Sequence, residues 1–341
     1  MPSEEKDEAK DESKDCDAIE EETPAPAPPP TDCTIVVAGL ADDVKLSKAA
    51  AVGEEICAGA TEGSYALSVL PMLEPDWEVY LAEKNVSVGG KCSGHAKSPL
   101  VLIEWEGAFH YVGGDRELEA LATEELGRAP APPDNKALDA STHARYLEML
   151  NATGHQFVFL DVQFNANTQN NKPRKVVLEL YNQLCPKTCF NFRALTTGEL
   201  GKREAECHGE TKELLLHYRG APFHRVVPGG WVQSGDIFDG SGGSAKIVDD
   251  AADENFAVKF DAPGVLAMAN DGAHTNNTQF FITLNALDWL DKTAVAFGRV
   301  VKGMATIRQI GALPTKNERP VDDCKIHNCG IINLKDGFGL G

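Results

Sequence analysis

Phe223-His-Arg-Val-Val-Pro-Gly-Gly-Trp-Val-Gln-Ser-Gly-Asp236 decides the fold of this chain, together with Gly264-Val-Leu-Ala-Met-Ala-Asn270 and Gln279-Phe-Phe-Ile-Thr283 downstream. All three read as strands. Alternate side chains of a strand share a face, so Phe223, Arg225 and Val227 are expected together, as are Trp231 with Gln233 and Gln279 with Phe281. Val226, Val232, Phe280 and Ile282 fall on the opposite face and are expected to pack. Taken singly, each polar residue fits a solvated sheet surface on which Arg and Gln lie over aromatic rings. The combination of one Arg and two Gln among Trp231, Phe281, Trp289 and Leu290, bounded by glycines, instead has the makeup of a ligand groove.

Outward from this stretch, other segments fall into a familiar order. They are Phe157-Val-Phe-Leu-Asp161, Cys185-Pro-Lys-Thr-Cys-Phe-Asn-Phe-Arg-Ala-Leu195, Phe223-His-Arg225, Gln233-Ser-Gly-Asp236, Asp253-Glu-Asn-Phe256, Thr275-Asn276, Gln279-Phe-Phe281, Trp289-Leu-Asp291 and Phe297-Gly298. Together they resemble the cyclophilins, the peptidyl-prolyl cis-trans isomerases of closed β-barrel type, over residues 155–332. Within that family the chain is similar to the peptidyl-prolyl isomerase-like protein 6 group. The resemblance rests on the Gly230-Trp231 pair, the Leu313-Pro-Thr-x-Asn-x-Arg-Pro320 end and an extra N-terminal domain.

The resemblance implies a multidomain chain whose C-terminal part, 154–334, is a closed antiparallel β-barrel with two capping helices. It makes Arg225 the catalytic arginine and Gln233 the residue that orients it. Phe281 and Leu290 become walls of a proline pocket, Trp289 its rim, and Ala269, Asn270 and Gln279 the edge that binds the substrate main chain. Without the motif, Phe281 and Trp289 would read as ordinary barrel packing. Three departures bear on activity. Gly230-Trp231 replaces the family's Phe-Met, removing one wall and enlarging the next; Trp231 then either swings into the vacated space or blocks the proline ring. Ala294 stands where His is usual, and Asp271 puts a negative charge at the substrate edge.

Within the barrel region a hairpin is expected from 156–164 and 175–181 through an Asn-rich turn. A helix over Pro186–Thr197 should turn Phe190 and Leu195 to the core. The charged insert 198–213 should bulge near the groove rim.

The chemistry of such a groove is rotation about an X-Pro bond, whose barrier is about 18–20 kcal/mol because conjugation stiffens the C–N bond. No metal, cofactor or covalent intermediate is needed. A donor aimed at the prolyl nitrogen, whose lone pair is freed only in the twisted state, lowers the barrier. A planar, permanently charged guanidinium suits that role.

Residues 1–31 form an acidic, Pro-rich segment with eleven acidic and three basic side chains, read as a disordered tail. Its charge is part of a net −20 that argues against nucleic acid and anionic membranes as partners. No apolar run is long enough to span a bilayer, and Ser3-Glu-Glu-Lys-Asp opens no signal peptide. Nine cysteines without such a signal imply free thiols in a reducing, cytoplasmic compartment, with no zinc-type spacing.

From residue 32 to 128 the pattern alternates, β-α-β-α-β-β-α. The order, Pro99 before the third strand as a cis candidate, and Gly113-Gly-Asp115 opening the last helix resemble a small α/β thioredoxin-like domain of glutaredoxin type. Its Cys-x-x-Cys is absent, since Leu40-Ala-Asp-Asp43 stands after the first strand, so no thiol nucleophile is available. A docking role is expected for it. Residues 129–153 read as a stiff Pro-rich linker and a short helix packed on one of its neighbours, and 335–341 as a tail.

Two functions follow. The first is a cyclophilin-type isomerase with weakened or altered activity. The second is a catalytically inactive proline-peptide binder or scaffold. Proline-containing protein segments are the expected partners of both, within a large assembly such as a ciliary axoneme by resemblance to the subgroup.

Overall fold

The computed structural model describes residues 32–60, 64–132, 134–164, 172–207, 210–243 and 252–334. The expected tails at 1–31 and 335–341 and the Asn-rich turn lie outside the described residues.

The N-terminal half starts from a Val/Ile run, Cys33–Leu40 (β1), which is buried on both sides as a central strand must be. Helix α1 (Val44–Gly59) begins where the Asp43 carboxylate accepts the Lys45 N–H at 3.0 Å. Strand β2 (Tyr65–Met72), helix α2 (Glu74–Ser87), strands β3 (Leu100–Trp105) and β4 (Ala108–Gly113), and helix α3 (Asp115–Leu126) follow. Their sheet order is β2-β1-β3-β4, with β1 and β2 parallel and the other pairs antiparallel. The Glu106-Gly107 turn has both residues in the left-handed region. Ile35 and Val37 pack under Leu46, Val52 and Ile56 of α1 and Leu118 of α3. Val36, Ala38 and Leu102 cover Trp77 and Cys92 on the other face. The Ser98-Pro99 bond is cis.

Helix α4 (Asn135–Ala152), capped by Asp134 at the Lys136 N–H, lies between the halves and touches both. Thr142 meets Ser47 of α1 at 2.5 Å, and Arg145 donates to the same hydroxyl. Tyr146 and Leu150 join Ala41 and Leu73 to Phe157, Val177, Val301 and Ile332 in one apolar cluster.

The C-terminal half is a curled antiparallel sheet in the order β16-β5-β6-β13-β11-β12-β10-β9. Its strands are β5 (Gln156–Phe164), β6 (Arg174–Leu180), β9 (Arg225–Val227), β10 (Trp231–Ser234), β11 (Val265–Met268), β12 (Phe280–Thr283), β13 (Ala296–Lys302) and β16 (Cys324–Ile331). Residues leading into β9 bond back to β16: Gly220 N–H to Ile326 O, Ile326 N–H to Ala221 O and Phe223 N–H to Cys324 O, at 2.7, 2.9 and 2.8 Å. Helices α5 (Pro186–Thr197) and α6 (Met304–Gly311) pack on this sheet. Two small hairpins, β7 (Lys202–Cys207) with β8 (Glu210–Leu215) and β14 (Thr315–Lys316) with β15 (Arg319–Pro320), complete it. The core is aromatic at its centre, where Phe192 meets Tyr218, Phe280 and Phe297 with ring centroids 5.0–5.2 Å apart.

Polar contacts also tie the halves together. Glu74 of α2 accepts the Gly303 N–H at 2.6 Å, placing a carboxylate at the N-terminus of α6. Arg308 binds Glu78 through both terminal nitrogens, and Lys302 meets Asp42 at 2.7 Å. Arg299 donates to the buried Glu179 at 2.7 Å and to Asp76 at 3.1 Å.

Three expectations are corrected. Phe190 is 54% exposed and lies over Arg193. The buried stripe of α5 is instead Cys189, Phe192 and Leu195, and residue 190 sits roughly 100° off it. Phe223 points into the core rather than beside Arg225, because residues 220–223 pair with β16 and the strand proper begins only at Arg225. The insert folds as the β7–β8 hairpin, and none of its described residues lines the groove; Leu200 and Arg203 border a separate cavity over α5.

Candidate functional site

The face expected from strand alternation becomes the floor of an open groove of about 650 Å³. Strand β10 supplies Trp231 and Gln233, and the register of β10 on β12 sets Gln233 opposite Phe281. Ala269 and Asn270, just past β11, form one side, and Trp289 and Leu290, on a single 3-10 turn at Asp288–Leu290, form the end. Arg225, Trp231, Gln233, Ala269, Asn270, Gln279, Phe281, Trp289 and Leu290 therefore all line one cavity. Of the departures, Asp271 and Ala294 line it too, but Gly230 does not. It sits in the turn between β9 and β10, where an added Cβ would come within 3.0 Å of Val227.

Trp231 lines the groove. Its ring lies 5.6 Å from Phe281 and 6.1 Å from Trp289, making an aromatic wall. Its indole N–H donates to Gln233 Oε1 at 3.3 Å. The other end of the Gln233 amide donates to Gln279 Oε1 at 2.9 Å. Gln279 in turn donates to the Gly242 and Gly243 carbonyls at 3.2 and 2.8 Å. Both glutamines are buried, and this chain of bonds fixes them.

His224 is a groove residue that sequence reasoning missed. Gln279 Oε1, already an acceptor, lies 3.1 Å from His224 Nε2, so that nitrogen carries the proton. Burial pushes the His224 pKa down.

Arg225 stands over the Trp231 ring, its guanidinium carbon 5.4 Å from the ring centre. Its Nε donates to Glu318 Oε2 at 2.6 Å. Its two terminal nitrogens have no partner among the described residues. The hairpin that carries Glu318 forms the second rim with Lys316, Asn317 and Arg319, also missed from the sequence. Opposite, Asn270 is held by its side-chain amide on the Thr293 carbonyl at 2.8 Å, and Ala269 N–H bonds the Gln279 carbonyl at 2.9 Å. Asn270 lies beyond the end of β11 and lines the groove.

None of the seven described free cysteines lines the groove. Burial pushes Cys185 up to about 11 and Cys324 and Cys329 up to about 12.

Residues 162–331 match the family model of the cyclophilin type peptidyl-prolyl cis-trans isomerases. Three curated relatives carry the name "Probable inactive peptidyl-prolyl cis-trans isomerase-like 6". The human protein is 34% identical over 264 residues, 77% of this chain and 80% of the relative. The bovine protein is 32% identical over 310 residues, 90% and 95% of the two chains. The mouse protein is 33% identical over 266 residues, 77% and 80%.

Proposed function

This chain belongs to the cyclophilin-type peptidyl-prolyl cis-trans isomerase family, and on that premise we propose that its groove binds proline-containing protein segments and turns X-Pro bonds slowly. The observation that carries the proposal is Arg225, positioned over an open aromatic-lined groove with both terminal nitrogens unengaged among the described residues. A proline ring would rest against Phe281, Leu290 and Trp231. The peptide main chain would run along Asn270, and an Arg225 N–H would meet the prolyl nitrogen as it becomes pyramidal. That bond strengthens only in the twisted state, as catalysis requires. Only rotation occurs, with no bond made or broken. Slowness follows from Gln233, whose amide is engaged by Trp231 and Gln279 rather than by Arg225. The protease-coupled proline isomerisation assay on the whole chain tests this. Wild type should exceed background and Arg225→Ala should not.

The second reading, a non-catalytic proline-peptide binder, is favoured by Gln233, which bonds Trp231 and Gln279 and not Arg225, and by the relatives' printed names. Equal background rates for wild type and Arg225→Ala, with peptide affinity retained, would establish it.

The closed form of the barrel belongs to the same proposal, supported by the bonds from residues 220–223 to β16. So does a thioredoxin-like N-terminal half, supported by the β2-β1-β3-β4 order and the cis bond at Pro99. We assign that half a docking role. The setting we propose is cytoplasmic, in an assembly such as the ciliary axoneme, on the subgroup resemblance. A tagged chain that spreads evenly through ciliated cells would count against it.

A further inference from the structure

We propose that Glu318 is the positioning residue of Arg225, taking the role that the family resemblance gave to Gln233. The inference rests on the groove reading above and adds a residue to it. The hairpin between β14 and β15 has a two-residue tip, Asn317 and Glu318, with φ of +50° and +63°. Both lie in the left-handed region, the pair of conformations that a tight hairpin tip requires and that non-glycine residues adopt at a cost.

That tip is fastened to β9 twice. The Glu318 carbonyl accepts the Val226 N–H at 2.6 Å, and its carboxylate accepts Arg225 Nε at 2.6 Å. The flank is fastened as well, since Arg319 donates to the Gly240 carbonyl at 2.9 Å, in the loop whose Gly242 and Gly243 carbonyls hold Gln279. A carboxylate on the Nε edge and the Trp231 ring beneath leave a guanidinium little freedom to turn. Its terminal nitrogens are then the ones presented to a ligand. Gln233 does not do this, since its oxygen accepts from Trp231, its nitrogen donates to Gln279, and it makes no hydrogen bond to Arg225 among the described residues.

The test uses the whole chain and three variants, Glu318→Ala, Glu318→Gln and Arg225→Ala. Three readouts are taken: isomerase turnover resolved into kcat and KM, thermal midpoint, and the Arg225 Nε–H signal in a nitrogen-edited NMR spectrum. Glu318→Ala should lower kcat by about two- to fivefold, the worth of a half-exposed ion pair. KM and the midpoint should barely move, and the Nε–H signal should shift and broaden. Glu318→Gln, which keeps an acceptor, should recover most of the rate.

Unchanged or faster turnover in Glu318→Ala would overturn the proposal, as would an unmoved Nε–H signal. If wild type and Arg225→Ala are both at background, the catalytic reading of the groove fails. The proposal then stands or falls on the Nε–H signal alone. A lower rate accompanied by an equal fall in the midpoint would reduce Glu318 to a structural contact and sink the inference.

Discussion

At the scale of single residues, the groove is decided by which polar atoms are already taken. Trp231 engages Gln233 through its indole N–H, so Trp231→Phe should release that amide toward Arg225 while keeping the aromatic wall. Turnover in the coupled assay should rise severalfold, about the worth of one neutral hydrogen bond. Arg225→Lys should behave like Arg225→Ala, because an ammonium lacks the second edge that Glu318 holds. His224 gives a pH dependence. Burial lowers its pKa below the usual 6.5, so the folded chain takes up the proton less readily than the unfolded one. Its contribution to stability is complete above 6.5 and drains away as pH falls through the lowered folded value. Urea unfolding at stepped pH should show wild type losing stability on acidification faster than His224→Gln, which keeps a donor toward Gln279.

At the scale of elements, α5 separates the two phenylalanines that its sequence places two apart. Phe192 is fully buried among Tyr218, Phe280 and Phe297, so Phe192→Ala should cost about 3–5 kcal/mol in chemical denaturation. Phe190→Ala, at 54% exposed, should cost under about 1 kcal/mol. The same helix shows what was legible in the sequence. Its ends were readable from Pro186 and Gly198, but Phe190 was assigned to the core because an aromatic invites that reading, while the stripe 189, 192, 195 decides it. Strands β10 and β12 were legible to the single side chain, since strict alternation separates Trp231 and Gln233 from Val232. Strand β9 was not, because backbone pairing of residues 220–223 with β16 ends the alternation before Arg225. The β14–β15 hairpin stayed hidden for a different reason. Its tip residues are Asn and Glu rather than glycine, so nothing in the local sequence announces the left-handed turn that brings Glu318 to Arg225.

At the scale of the whole molecule, Arg299 reaches across the joint to Asp76 while anchoring a buried carboxylate of its own half. It serves Glu179, which is 2% exposed, as well as Asp76 on α2. Arg299→Met leaves a buried carboxylate hydrogen-bonded to His155 without its arginine, and should cost about 3–5 kcal/mol of unfolding free energy. Arg308→Ala breaks a pair that is half in water and should cost under about 1 kcal/mol. Limited proteolysis should find the 129–134 stretch cut faster in the first variant than in the second. The cluster that α4 completes carries a practical consequence. A fragment beginning after residue 153 would present Phe157, Val177, Val301 and Ile332 to water where Ala41, Leu73, Tyr146 and Leu150 had covered them. Such a bare catalytic half is expected to clump and fall out of solution, so a silent fragment would report a torn surface and not a dead groove.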